Sequence, residues 1–462
     1  MAKNLVATLR PSLDNSVETS TPRDIDFHHG ILDKTVQKHL VRKLDFIILP
    51  ILAIIYFTHS LDRANLGNAK TDGFEADIGL KPNQYSLILV LFYIPYGTFN
   101  IPATILARRF NPAVVIPVLM LCWGAISLGS MAVHDFGGIL AARILLGCVE
   151  AGFFPSAIFY LTMFYTRQEI AKRISLFYMM GFVANAYLFL IEGSLTIFLA
   201  ILAFILLPRD VQHSRYFSKD EKECSKIRLA ATSEEETGKF SWSATLKPLL
   251  QWQTWLYAAM ALGYGVACAS ISNFLPTIIK RLTNDSIRAN LFTIGPNLSG
   301  GLCIVLVCWI SDRYQQRALC AIGATLVSMV GFIVLGTADL VHHTGAGYFC
   351  TFLLTFGTFT PAVVVPAWLS SNQISISGRA TQLGLVAGMQ NIAGIISSEA
   401  FRTQDAPVYA PALIVSACFQ AFMILAATAA FVYYRSINRK LSRGEIVFVE
   451  GRECPPGFRF VL

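Results

Sequence analysis

An aspartate followed by an arginine inside an apolar run is the first place where this sequence could do chemistry: Asp62-Arg63 in YFTHSLDRANLGNAK. A charge placed in membrane hydrocarbon costs at least ~2.5–3.5 kcal/mol, so such residues mark ion, proton or substrate pathways. Arg63 can hold an anion, and Asp62 can load and release a proton. The competing reading is an interfacial ion pair that snorkels outward. A second pair, Arg143 and Glu150, lies in ARILLGCVEAGFFP. Their spacing is about two helical turns, which puts both side chains on one face roughly 10 Å apart. A neighbouring cation and burial act on a carboxyl in opposite senses, which suits a group that must both take up and give up a proton. The competing reading here is a buried structural salt-bridge network. Weaker signals are Tyr96 (FYIPYGTFNIP), Trp368 and Asn372 (PAWLSSNQ), and Gln390 and Asn391 (GMQNIAG). Each either lines a cavity or bonds one helix to another.

Apolar elements must position these groups. The chain has 462 residues, of which 54% are hydrophobic and 14% charged, with a mean hydropathy of +0.54. A soluble globule needs roughly 25% charged residues to cover its surface. Most of this surface therefore faces lipid. Stretches near 44–66, 84–106, 112–132, 136–162, 174–207, 253–276, 290–311, 317–338, 346–370, 380–400 and 411–435 approach or exceed the ~20 residues that cross a bilayer. Residues 1–40 read as a disordered cytosolic N-terminus and 41–208 as a first helix bundle. A charged cytosolic loop spans 209–251, a second bundle 252–436, and a cytosolic tail 437–462. No apolar run precedes Phe46, so no cleaved signal peptide is expected.

Charge sets the orientation. With the N-terminus cytosolic and 174–207 crossing twice, inner segments hold 29 of the 37 Lys and Arg. The net charge of +8 is thus topological and calls for no nucleic acid. Asp45 marks the inner start of the first span, and Asp62 lies roughly 25 Å along it, in the outer half. Arg143 falls at a similar depth, so two arginines and two carboxylates make one candidate substrate and proton site. Glu192 reads as an interfacial residue near the outer surface. Gly147, Gly152 and Pro155 read as packing and kink residues of the fourth helix. Ser311-Asp312-Arg313-Tyr314, followed by Arg317, puts a carboxylate and cations in a tight inner turn that could latch helices, or simply anchor them.

The two halves echo one another. Arg109-Phe110 matches Arg313-Tyr314, while Pro155 and Arg173 match Pro361 and Arg379, at nearly constant offset. The expected fold class is an all-α polytopic membrane protein of two six-helix bundles related by an internal repeat, with about 11–12 spans. The stretch 174–207 is about one span shorter than its repeat counterpart, which predicts an incomplete fifth helix. No phosphate loop, HExxH, GxSxG or paired CxxC occurs, and the ten cysteines show no framework spacing, so neither enzyme, metal site nor cofactor is expected.

The chain resembles the major facilitator superfamily, and within it the anion:cation symporter branch and its fungal allantoate/nicotinate permease group. LDRANLGNA (61–69), ARILLGCVEAGFFPS (142–156) and SDRYQQR (311–317) carry the resemblance; ARRFNP (107–112) keeps only the basic part of the corresponding loop. The resemblance implies proton-coupled alternating access for a small organic anion, driven by the proton gradient. By that analogy Arg63 holds the substrate carboxylate, Asp62 and Glu150 exchange protons, and Arg143 tunes them. Tyr96 and Asn391 match cavity positions, with Trp368 as a further candidate contact, and Asp312, Arg313 and Arg317 form the gate. The expected protein is a monomeric, multi-pass plasma-membrane importer with both termini cytosolic. Asn284, in the outer-loop sequon Asn284-Asp285-Ser286, is a candidate glycosylation site. The alternatives are an exporter of an acidic secondary metabolite and a non-transporting receptor or relic.

Overall fold

The computed structural model describes residues 34–71, 84–130, 133, 135–166, 169–184, 192–230, 242–283, 286–337, 344–373, 376–405, 408–445, 448–449, 452–453 and 459–462. Residues 1–33 and Asn284 lie outside the described residues. So do the side chains of Asp62, Arg63 and Glu192, whose backbones are helical.

The first half comprises α1 (Lys34–Thr71), α2 (Gln84–Phe110), α3 (Pro112–Ser130), α4 (Phe136–Glu150), α5 (Phe153–Thr162), α6 (Ile170–Ala184) and α7 (Glu192–Leu206). The connecting segment carries α8 (Lys219–Ala230) and α9 (Trp242–Leu246). The second half comprises α10 (Trp252–Thr283), α11 (Ser286–Tyr314), α12 (Arg317–Thr337), α13 (Thr344–Thr358), α14 (Thr360–Asn372), α15 (Ile376–Ala400) and α16 (Ala410–Ser442). A two-residue antiparallel hairpin, β1 (Phe448–Val449) with β2 (Arg452–Glu453), follows. Among the described residues, eight helical segments are long and apolar enough to cross a membrane.

The internal repeat is visible in backbone geometry. Asn111, between α2 and α3, and Gln315, between α11 and α12, both take positive φ (74° and 53°), at the offset that relates Arg109 to Arg313. Asn111 Oδ1 accepts from the Ala113 amide at 2.9 Å, and Pro112 supplies the fixed φ of a first helical residue. The fourth span breaks between α4 and α5 at Ala151-Gly152, and the tenth between α13 and α14 at Phe359; each break is followed closely by Pro155 or Pro361. A Cβ on Gly152 would collide with Ala103 and one on Gly147 with the Phe92 carbonyl, so both glycines let the fourth span press against α2.

The helices α6 and α7 each have 15 described residues; residues 185–191, where the expected incomplete fifth helix falls, lie outside the described residues. Across the halves α2 packs along α15, α1 along α10, and α6 along α11. The connecting segment is tied to the first half as well. Glu221 of α8 accepts from Lys43 Nζ at 3.0 Å and lies 2.9 Å from His39 Nδ1, while Arg228 reaches Glu169 at 2.7 Å.

Candidate functional site

A central cavity of about 770 Å³, counting its open part, lies between the halves. Tyr56, His59 and Ser60 of α1, Tyr93 of α2, and Tyr178 and Gly181 of α6 line one side. Gly265, Cys268, Ala269, Ser272 and Asn273 of α10, Phe359 at the α13–α14 break, and Gln390 and Asn391 of α15 line the other. The wall is therefore aromatic on the first half and rich in amides on the second. Asn273 Nδ2 donates to the Tyr93 hydroxyl at 2.9 Å across the halves, and Tyr264 donates to Gln390 Oε1 at 3.4 Å. Asn391 donates to the Ala387 carbonyl of its own helix at 2.7 Å.

Behind the wall sits a buried pair. His59 Nε2 stands 3.6 Å from Glu150 Oε2, and both side chains are almost wholly enclosed. The Tyr96 hydroxyl lies 3.5 Å from the same imidazole nitrogen. Tyr56, Trp123 and Phe153 surround the imidazole with ring centroids 5.1–5.8 Å away. Glu150 is the last residue of α4, at the negative end of that half-helix. An isolated carboxylate is costly in such surroundings, and His59, when protonated, is the counter-charge within reach. Because His59 also borders the cavity, the pair communicates with whatever the cavity holds. Among the described lining residues it is the one side chain able to carry a positive charge.

The expected site residues distribute as follows. Glu150 and Tyr96 meet at His59, and Asn391 lines the cavity. Arg143 shares α4 with Glu150 but is only half-buried and is not among the lining residues. Trp368 is fully buried on α14, away from the lining residues, and its indole donates to the Val461 carbonyl at 2.8 Å. At the basic end of the bundle, Arg317 is fully buried and donates to Asp312 Oδ1 at 3.3 Å, while Asp312 Oδ2 accepts from the Lys172 amide of α6 at 2.8 Å. That contact joins the two halves. Arg313 is exposed. Sequence reasoning missed His59, Tyr56, Tyr178 and Asn273. The one usable signal for His59 was a lone histidine within the first span, three residues before Asp62.

Comparison with known proteins agrees with this architecture. A family model described as Major Facilitator Superfamily matches residues 52–398. The MFS-type transporter efuF of Hormonema carpetanum is 39% identical over 433 residues, covering 89% of this chain and 88% of that protein. The high-affinity nicotinic acid transporter of Saccharomyces cerevisiae is 28% identical, covering 88% and 79%. Among solved structures, the proton:xylose symporter XylE superposes with a TM-score of 0.63 at 13% identity, covering 84% of this chain and 96% of that one.

Proposed function

The chain belongs to the Major Facilitator Superfamily and is a multi-pass membrane transporter rather than an enzyme, and from that premise we propose that it takes up a small organic anion together with protons by alternating access. The observation that carries this reading is the His59–Glu150 pair at the cavity edge. With one proton between them the two groups are neutral overall; with two they carry a single positive charge beside the cavity. An anion entering from the outside brings the compensating negative charge. Substrate and second proton therefore stabilise each other in a low-dielectric interior, where an isolated charge is costly. The doubly loaded and the empty states are both close to neutral, and these are the states that can reorganise across the membrane.

In this reading Arg63 takes the substrate carboxylate, Asp62 and Glu150 hand on protons, and Arg143 tunes them. Asn391, with Asn273 and Gln390, hydrogen-bonds the polar edge of the substrate, while Tyr56, Tyr93, Tyr178 and Phe359 stack against a flat body; Tyr96 supports the site from behind, through His59. The yeast relative named for nicotinic acid favours a compact aromatic monocarboxylate. The protein acts in this reading as a monomer in the plasma membrane, and the charge bias supports both termini being cytosolic. The driving force is the proton gradient, and no cofactor is needed.

The test is uptake of radiolabelled nicotinate and a panel of other monocarboxylates by cells that lack their own permeases, with and without a protonophore. Accumulation that rises with external acidity and collapses with the protonophore is expected. Accumulation indifferent to the protonophore, or net efflux of the same acids, overturns the reading.

A further inference from the structure

A notch at the basic end of the second half is filled by the chain's own residues 459–462, and the filling is built from directional bonds. The Asn438 side chain of α16 forms a reciprocal pair with Phe460, donating to its carbonyl at 2.8 Å and accepting from its amide at 2.9 Å. Asn372, at the end of α14, does the same for Val461, donating at 3.0 Å and accepting at 2.8 Å. The Trp368 indole adds a second donor to the Val461 carbonyl at 2.8 Å. The Leu462 carbonyl accepts from the amides of Arg317 and Ala318, the first residues of α12. The Phe460 ring is 3% exposed and stacks on Tyr434 with centroids 5.1 Å apart. Two asparagine amides thus read an extended backbone as a neighbouring β-strand would, and an aromatic pocket reads one side chain.

Trp368 and Asn372 are themselves buried, so an empty notch would leave their polar atoms without these partners inside the protein. The end of the occupying segment also touches the turn that joins the two halves. Leu462 bonds the backbone of Arg317, the Arg317 guanidinium bonds Asp312, and Asp312 bonds the Lys172 amide of α6 in the first half. The contact of the tail is thereby one step from the closure between the halves.

We propose that residues 459–462 are a built-in strap: a removable peptide ligand of this notch, whose presence holds the α11–α12 turn in the geometry that closes the cytosolic side. Departure of the strap frees the start of α12, loosens the Arg317–Asp312 pair and favours opening to the cytosol. The word cytosolic rests on the orientation proposed above; the coupling between notch and turn does not.

The experiment is amide hydrogen exchange on the purified full chain in lipid nanodiscs, without substrate, against a chain truncated before Arg459. The Lys172 amide is the decisive probe, because Lys172 belongs to the first half and its amide bonds Asp312, the partner of Arg317. Its exchange is expected to quicken about tenfold or more on truncation, as a local opening equilibrium shifts. Phe460→Tyr should keep wild-type protection and Phe460→Ala should lose it. Unchanged exchange at Lys172, with faster exchange confined to α12, α14 and α16, overturns the proposal and leaves the tail a local cap. Should the truncated chain not purify as a single species, Asn438→Ala in the intact chain decides by the same criterion. Failure of the transport reading would appear in the uptake assays and would leave this measurement untouched.

Discussion

The imidazole of His59 stands 3.6 Å from the carboxylate of Glu150, and neither side chain is more than 3% exposed. Removing one member of a buried ion pair leaves the other uncompensated, at a cost near 3–5 kcal/mol. A transporter that uses the pair to carry a proton should suffer in one function above all. His59→Gln and Glu150→Gln should each abolish acid-driven accumulation while leaving exchange of labelled for unlabelled substrate between two pools. The double variant should be no worse than the poorer single one, since the groups act as a unit. Uptake and counterflow assays run side by side decide it; equal loss of both activities in both variants would reduce the pair to a packing role.

Arg63→Ala addresses the anion rather than the proton. Arg63 directly follows the carboxylate of the first-span Asp-Arg pair, and a single arginine contact to a carboxylate is a charge-assisted bond of about 1.5–3 kcal/mol. Its loss should reduce uptake at low substrate by at least about tenfold and abolish exchange as well as accumulation, in contrast to Glu150→Gln. Wild-type rates in Arg63→Ala would remove the proposed binding role.

The spans, the central charged segment and the repeat were legible because apolar length and landmark spacing are local or nearly local signals. Asn111 and Gln315 turn the chain at matching points, and the helix breaks before Pro155 and Pro361 follow nearly the same offset. His59 was not legible. A lone histidine on an apolar run looks like any packed core residue until its partner is known, and Glu150 reaches it only once the helices of the first half have packed. The hydrogen bond of Trp368 was not legible for the same reason: its partner, Val461, lies 93 residues further on.

Glu221 fixes the connecting segment, and its pH behaviour can be stated with its sign. Burial alone would raise its carboxyl; the Ser218 amide, Lys43 and His39 outweigh that and hold it at about 2, against an ordinary value of 4.5. A carboxyl lowered on folding contributes stability that is complete above its unfolded value and is lost as pH falls through the folded one. The thermal midpoint of Glu221→Gln should therefore sit below wild type by a constant margin from about pH 8 to about pH 5, and the gap should narrow only below about 4.5. A gap that already narrows above about pH 5 would overturn the role of the Glu221 carboxylate in docking α8.

The short stretch 174–207 offers the last test. If it crosses twice, each crossing has about 17 residues where a bilayer asks for about 20, and its first part contributes Tyr178 and Gly181 to the cavity. A helix that is too short leaves its far end to be matched by a thinned bilayer or by neighbouring helices, at a fraction of a kcal/mol per Å of mismatch. The chain as it stands should therefore transport weakly and melt early. Inserting about 20 residues of helix-forming, mainly apolar sequence after Ala184 lengthens the fifth span and supplies an outer loop before the sixth, while the alternation of all later spans is kept. Both the thermal midpoint and the uptake rate should rise in that variant, whereas an insertion of equal length in the connecting segment near Ser233 should change neither. Robust uptake by the unaltered chain, or an insertion after Ala184 that lowers the midpoint, would show that the short stretch 174–207 is a working arrangement of this protein.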